Sequence, residues 1–305
     1  MTLSSAGAVF RRGLKQGTLA LPGVFNAITA QLATKAGFQA LYLSGAGVTN
    51  TLTGYPDIAL LTLTEMAQQA RHVARAVNIP VVADADTGYG EILNVARAVE
   101  ELEHAGLAGI HLEDQVAPKR CGHLTGKQVI PAADMAKKIR AAVRARTDPD
   151  FYLIARTDAR SVNGLEDAIA RAHRYLDAGA DAIFPEALQS REEFEQFASR
   201  VRAPLLANMT EFGQSPYLSV EELSGLGYAM VIFPMTALRV MMKAAEHVYE
   251  VLKQTGSQQS LLHSMQTRQE LYELLRYPDY VRFDQEVEDD VAESNVFTSA
   301  KEQER

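Results

Sequence analysis

Short apolar runs recur along this chain, and each is followed by a longer stretch whose apolar residues return every third and fourth position. The runs are Leu19–Val24, Ala40–Leu43, Val81–Ala83, Gly109–Leu112, Tyr152–Ala155, Ala182–Phe184, Leu205–Ala207 and Met230–Phe233. Between them, Ala27–Ala36, Leu63–Val77, Ile92–Ala105, Ala133–Arg146, Leu165–Ala178, Arg191–Arg200 and Val220–Leu226 carry the spacing of amphipathic helices. Gly37, Gly106 and Gly179 stand where left-handed helix caps are needed. Strands alternating with helices make a parallel sheet covered by helices. Eight such units close most economically into a (β/α)8 barrel, and 305 residues suit that fold as one domain. A doubly wound open sheet is the alternative, but no glycine-rich phosphate fingerprint follows the first strand. Past the eighth strand the helical pattern of Ala237–Lys253 and Ser260–Arg276 exceeds what a barrel needs. Residues 240–305 are therefore read as a helical C-terminal extension of a single domain spanning 1–305. That extension either docks on a neighbouring subunit or wraps the same barrel.

A net charge of −8 argues against nucleic acid or an anionic membrane as partner. Local arginines still leave acidic small molecules open as substrates. No apolar run approaches a membrane span, and residues 1–15 lack the apolar core of a signal peptide. The single cysteine excludes an intrachain disulfide framework and fits the reducing cytoplasm.

Catalytic groups of a parallel barrel sit just past the strands, at the C-terminal rim. Here those positions read Ser44-Gly45, Asp84 and Asp86, Glu113-Asp114, Arg156, Glu186 and Asn208-Met209-Thr210, with Pro234 and Arg239 after the eighth run. Asp84 and Asp86 lie two residues apart, on one side of an extended chain. An Asp-x-Asp is commonly a turn or a helix cap. With His111, Glu113 and Asp114 on the next strand, oxygen ligands for Mg²⁺ or Mn²⁺ become the better reading. Arg156, Arg239 and Arg268 are candidates for bidentate carboxylate binding, Arg156 first because it ends an apolar strand. His72, His104, His173, His247 and His263 fall on helical stretches and read as surface or packing residues. Cys121 sits in Lys119-Arg120-Cys121-Gly122-His123, where basic neighbours are expected to stabilise the thiolate and lower its pKa from about 8.5. The segment Gln115–Pro131 is long enough to act as a lid.

The set Tyr42-Leu43-Ser44-Gly45, Asp84-Ala85-Asp86-Thr87-Gly88-Tyr89-Gly90, Glu113-Asp114-Gln115, Lys119-Arg120-Cys121-Gly122-His123 and Asn208-Met209-Thr210-Glu211-Phe212-Gly213 resembles the isocitrate lyase and phosphoenolpyruvate mutase superfamily. The likeness covers nearly the whole chain, and the cysteine pentapeptide points to its lyase branch. Two places depart from the familiar pattern: Ala46 stands where glycine is usual, and Leu124-Thr125-Gly126-Lys127 differs after His123. The resemblance implies Mg²⁺ at Asp84 and Asp86, with Glu113 nearby. It implies substrate contacts from Ser44, Gly45, Ala46, Cys121, Gly122, Arg156, Glu186, Asn208, Thr210, Arg239 and Arg268, and a homotetramer. The implied reaction is Mg²⁺-dependent cleavage of 2-methylisocitrate to pyruvate and succinate, a step of propionate catabolism through the methylcitrate cycle. Cys121 would be its general acid, and Tyr42, Asp57 or a metal-bound hydroxide its base. Phe184 and Pro234 would shape a niche for the substrate methyl. The alternatives are a related lyase acting on isocitrate, 2,3-dimethylmalate or another 2-hydroxy diacid, and a phosphoenolpyruvate mutase-type isomerase.

Overall fold

The eight apolar runs form eight strands: β1 Leu19–Val24, β2 Leu41–Leu43, β3 Val81–Asp84, β4 Gly109–Glu113, β5 Tyr152–Thr157, β6 Ala182–Pro185, β7 Leu206–Asn208 and β8 Met230–Phe233. The structure is a computed structural model that describes residues 4–123 and 126–289. Every strand pair is parallel, in the order β6-β5-β4-β3-β2-β1-β8-β7. A single bridge between Ile183 and Leu205, with Ile183 N donating to Pro204 O at 3.1 Å, joins β6 to β7 and closes the ring. The order steps round in sequence and has no switch point, so the barrel stands and the open doubly wound sheet is excluded.

The helices are α1 Ala6–Gln16, α2 Ala27–Lys35, α3 Gly45–Thr53, α4 Leu63–Ala76, α5 Ile92–His104, α6 Ala132–Ala145, α7 Arg160–Asn163, α8 Leu165–Asp177, α9 Arg191–Arg200, α10 Val220–Gly225, α11 Thr236–Thr255 and α12 Arg268–Leu274. Gly37, Gly106 and Gly179 hold positive φ just past α2, α5 and α8, as their positions predict. α3 has no amphipathic period in its sequence, and its order comes from outside it. Ser44 Oγ accepts Gly47 N at 3.1 Å, and Thr49, Thr51 and Thr53 bond back to carbonyls four residues earlier.

Alternation along the strands separates two cores. One face packs under the helices through residues such as Val24, Leu43, Val81, Ile110, Leu153 and Ile183. The other fills the barrel with Leu21, Tyr42, Val82, Ile154, Phe184, Met230 and Ile232, and Phe10 of α1 joins this inner cluster. Phe10 is fully buried and meets Tyr152 edge-on, with ring centroids 5.2 Å apart. Gly7 lets α1 lie this close, because a Cβ there would stand 2.4 Å from the Asp150 carbonyl oxygen. Apolar filling gives way to polar side chains at the C-terminal strand ends.

The chain divides into two compact units, Met1–Lys243 and Ala244–Arg305. The first holds the barrel. The second holds the end of α11, a 3-10 turn at Gln259–Ser264 and α12, whose Thr267 cap accepts Glu270 N at 3.1 Å. No described helix is long and apolar enough to cross a membrane.

Candidate active site

At the C-terminal strand ends lies a cavity of about 60 Å³. Tyr42, Ser44 and Ala46 wall it past β2, with Asp84 from β3, Arg156 from β5, and Phe184 and Glu186 at β6. Asn208, Thr210, Ile232, Pro234 and Met235 complete the wall from β7 and β8, and the loop between β4 and α6 roofs it with Lys119 to His123. Such a space holds roughly five waters at 10–15 Å³ each, so a tricarboxylate needs the roof to lift.

One side of the cavity is acidic. Asp84 Oδ1 accepts the backbone N of Asp86 at 2.9 Å, and a Cβ on Gly45 would stand 2.6 Å from Asp84 Oδ2. Asp86 adopts a left-handed φ of 48° that turns its carboxylate to Lys119, 2.9 Å away. Lys119 Nζ also meets Asp57 Oδ1 at 2.5 Å. Burial pushes both aspartates upward, Asp86 to about 6, while Lys119 pulls them back. Glu113 is fully buried, and among the described residues neither of its oxygens has a hydrogen-bond partner. Burial raises its carboxyl well above the usual range despite Arg156 Nε at 3.3 Å. Asp114 does not belong to this group. Strand parity turns it outward, where it accepts Thr157 Oγ1, Asp158 N, Tyr175 Oη and Arg171 Nη1 at 2.7–3.1 Å.

His111 shares the inward parity of Glu113. Burial drops its pKa to about 3, so its 3.7 Å approach to Asp84 is not an ion pair. Its Nε2 meets Tyr42 Oη at 2.9 Å. Burial, then Asp84, raises the Tyr42 phenol far above its ordinary value, so it remains protonated.

Around this cavity Asp57, Asp84, Asp86, Glu113, Asp158 and Glu186 outnumber Lys119, Lys127 and Arg156, while Arg120 is exposed. The surplus of buried carboxyl groups, with Glu113 left without a hydrogen bond among the described residues, fits a divalent cation. No cluster of three or more acidic, histidine or cysteine side chains among the described residues holds an ion by itself. Mg²⁺ needs only one or two carboxylates when water and substrate complete its octahedron, and Asp84 and Asp86 fit that need.

The opposite side carries Arg156. Arg156 pairs with Asp158 through two bonds, at 2.9 and 3.2 Å, and lies over the Phe184 ring at 5.1 Å. Its Nη1 is 3.3 Å from Glu186 Oε2, and Asn208 Nδ2 is 3.3 Å from both Glu186 oxygens. Burial works to raise the Glu186 carboxyl, but Arg156 and His123 outweigh it and keep it ionised. α3 begins at the cavity wall with Gly45 and Ala46, whose backbone N–H groups have no partner inside the helix.

The roof is fastened to the rim. Lys119 reaches Asp57 and Asp86, Gln115 grips the backbone of Arg120 at both ends, and Lys127 meets Asp158 at 2.9 Å. Gln214 N donates to His123 Nδ1 at 2.9 Å, which leaves Nε2 as the ring nitrogen that carries a proton. That nitrogen lies 2.8 Å from Glu186 Oε1. Leu124 and Thr125, part of the expected lid, lie outside the described residues.

The thiol overturns one expectation. Cys121 is exposed to solvent, yet it is one of the residues that line the cavity, and its pKa is raised, not lowered. Desolvation is the main cause, with Glu186 adding to it against a backbone hydrogen bond and Arg156. The basic neighbours in sequence are spent elsewhere: Lys119 on carboxylates, His123 on Glu186, Arg120 toward solvent.

Of the residues singled out in the sequence, Ser44, Ala46, Asp84, Cys121, Gly122, Arg156, Glu186, Asn208 and Thr210 line the cavity. Gly45 backs Asp84, and Asp86 faces Lys119. Arg239 does not line it; its Nε is 3.4 Å from Glu211 and its guanidinium covers Phe212 at 5.5 Å. Arg268 is exposed at the first position of α12, in the second unit. Sequence reasoning gave no site role to Asp158, Lys127 or Gln214. Asp158 had a signal, standing two residues past Arg156, within reach of a bidentate pair.

The family model for phosphoenolpyruvate phosphomutase matches residues 10–253. The 2-methylisocitrate lyase of Aeropyrum pernix is 51% identical over 286 residues, covering 93% of this chain and 92% of that protein. The crystal structure of 2,3-dimethylmalate lyase, described as a PEP mutase/isocitrate lyase superfamily member, matches with a TM-score of 0.88 at 37% identity, covering 93% of this chain and 96% of that one. Phosphonopyruvate hydrolase in complex with oxalate and Mg²⁺ matches at 0.83 and 28% identity, covering 92% and 97%. The chain belongs to the phosphoenolpyruvate phosphomutase family, within the PEP mutase/isocitrate lyase superfamily, and is one of its carbon–carbon lyases.

Proposed function

We propose that this enzyme cleaves 2-methylisocitrate to pyruvate and succinate, with Mg²⁺ (or Mn²⁺) as cofactor and Cys121 as general acid. The observation that carries this reading is Cys121 in the wall of a cavity with buried carboxylates on one side and Arg156 on the other. Likeness to 2-methylisocitrate lyases over nine-tenths of the chain supports the substrate.

The substrate's hydroxyl loses its proton, the neighbouring C–C bond breaks, and its electron pair moves onto the carbon beside a carboxylate. Asp84 and Asp86 would hold Mg²⁺, which would supply a Lewis acid to lower the pKa of the substrate hydroxyl. The backbone N–H groups at the start of α3 and the Arg156 guanidinium hold substrate carboxylates. Asn208 and Thr210 offer neutral donors on the same wall. Burial keeps Tyr42 a phenol, which leaves Asp57 in the cavity wall or a metal-bound hydroxide as the base that would take the hydroxyl proton. Phe184, Ile232 and Pro234 give the methyl group an apolar wall. Cys121 then passes its S–H proton to the carbanion, and the roof keeps bulk water from doing so first. By family resemblance the protein is a homotetramer, and its lone thiol suits the cytoplasm.

Parallel turnover of 2-methylisocitrate, isocitrate and 2,3-dimethylmalate with Mg²⁺, read as the oxo acid released, tests the proposal. Pyruvate from 2-methylisocitrate, at kcat/KM at least about 100-fold above the other two, is expected. Glyoxylate from isocitrate as the favoured product would overturn it.

A further inference from the structure

We infer that Lys127 is a positioning residue for the acid step, tying the strand-end arginine to the loop that bears Cys121. This inference rests on the reading of Cys121 as proton donor. Lys127 lies in the roof loop, yet its side chain is 2% exposed and its partner Asp158 is fully buried. A lysine is buried in this way only when its charge is paired and its donors are used. Both conditions hold. Its Nζ donates to Asp158 Oδ1 at 2.9 Å and to the carbonyl oxygen of Gly122, the residue after Cys121.

Asp158 is shared. Oδ2 accepts Arg156 Nε at 2.9 Å, and Oδ1 takes both Arg156 Nη2 at 3.2 Å and Lys127. One ammonium therefore fixes the backbone beside the thiol and, through one carboxylate, the plane of the guanidinium. Gly122 allows no slack, because a Cβ there would stand 2.5 Å from Arg156 Nη2. The Gln115–Val129 bridge already anchors the base of the loop. Lys127 stands two residues before Val129 and reaches back across the loop to the Gly122 carbonyl, a contact that the bridge does not supply. Its removal leaves the Gly122 carbonyl without its buried donor and Arg156 with Asp158 to itself. The reacting groups then lose their register, and a displacement of about 1 Å costs on the order of 100-fold in rate.

The test uses the full-length Mg²⁺-loaded enzyme and the variants Lys127→Met and Lys127→Arg. Lys127→Met keeps the stem and removes the charge. We expect its kcat to fall about 100-fold with KM within about threefold, and Lys127→Arg to recover part of the loss. Because Cys121 is the only cysteine, its alkylation by N-ethylmaleimide reports loop position without any substrate. In the ligand-free enzyme Lys127→Met should change that rate at least about fivefold at fixed pH, with the thermal midpoint moved by less than about 4 °C. Unchanged kcat and unchanged alkylation would overturn the inference. So would equal losses in kcat and thermal midpoint, which mark a purely structural role. If wild-type protein fails to cleave 2-methylisocitrate while the alkylation shift persists, the substrate assignment falls and the positioning role stands.

Discussion

A thiol that donates a proton has to keep it until the carbanion forms, and Cys121 meets that condition through desolvation rather than through its basic neighbours. Its alkylation by a neutral reagent should therefore rise with pH through a midpoint above the free-cysteine value of about 8.5. The sign follows from burial: the thiolate is the form that loses solvation, so deprotonation is delayed to higher pH. A midpoint below that value would contradict the account. Cys121→Ser should lower kcat by about 1,000-fold, in the usual range for a general acid, while affinity for the proposed products, measured by calorimetry, stays within about threefold. Wild-type turnover in that variant would remove the acid assignment. The position of this residue was legible in the sequence, because charged flanks set a lone cysteine apart. The direction of its pKa was not. Adjacency along the chain places Lys119, Arg120 and His123 beside the thiol, but the fold turns the first toward Asp57 and Asp86, the second to solvent and the third toward Glu186.

Elements were legible where burial has a period. All eight strands fall where apolar runs place them, because a strand covered on both faces reads as a continuous apolar stretch. α3 was invisible for the opposite reason: its glycines and threonines serve the cavity wall, not a hydrophobic face. The roof loop gives a test at this scale. A methyl on Gly122 would stand 2.5 Å from both Arg156 Nη2 and Glu186 Cγ. Gly122→Ala should therefore cut kcat/KM by about 100-fold with the circular dichroism unchanged, and activity within twofold of wild type would contradict it. At the other end of the barrel, Phe10→Ala leaves a void in the inner cluster beside Tyr152. It should destabilise the fold by about 3–5 kcal/mol in urea unfolding; a loss under about 1 kcal/mol would mean that α1 is not part of the core.

At the scale of the molecule, α11 exposes Val240, Met242 and Tyr249, each more than half accessible in the single chain. These exposed apolar side chains are available for burial against another chain, as the proposed homotetramer requires. Sedimentation equilibrium should then return about four times the 33.4 kDa chain mass; a monomer would contradict it. The sequence carried the barrel and most of the cavity wall, since both follow from strand order and strand ends. It did not carry the placement of Arg239 and Arg268, which lie on helices beyond the last strand and have no rim position to fix them. The central claim is a C–C cleavage whose carbanion is protonated inside the site. Cleavage of 2-methylisocitrate in D₂O with Mg²⁺, analysed by mass spectrometry and by the configuration of the labelled carbon, tests it most directly. The account predicts pyruvate and succinate in equal amounts, the succinate carrying one deuterium in a single configuration. Glyoxylate in place of pyruvate, or succinate labelled in both configurations, would contradict it.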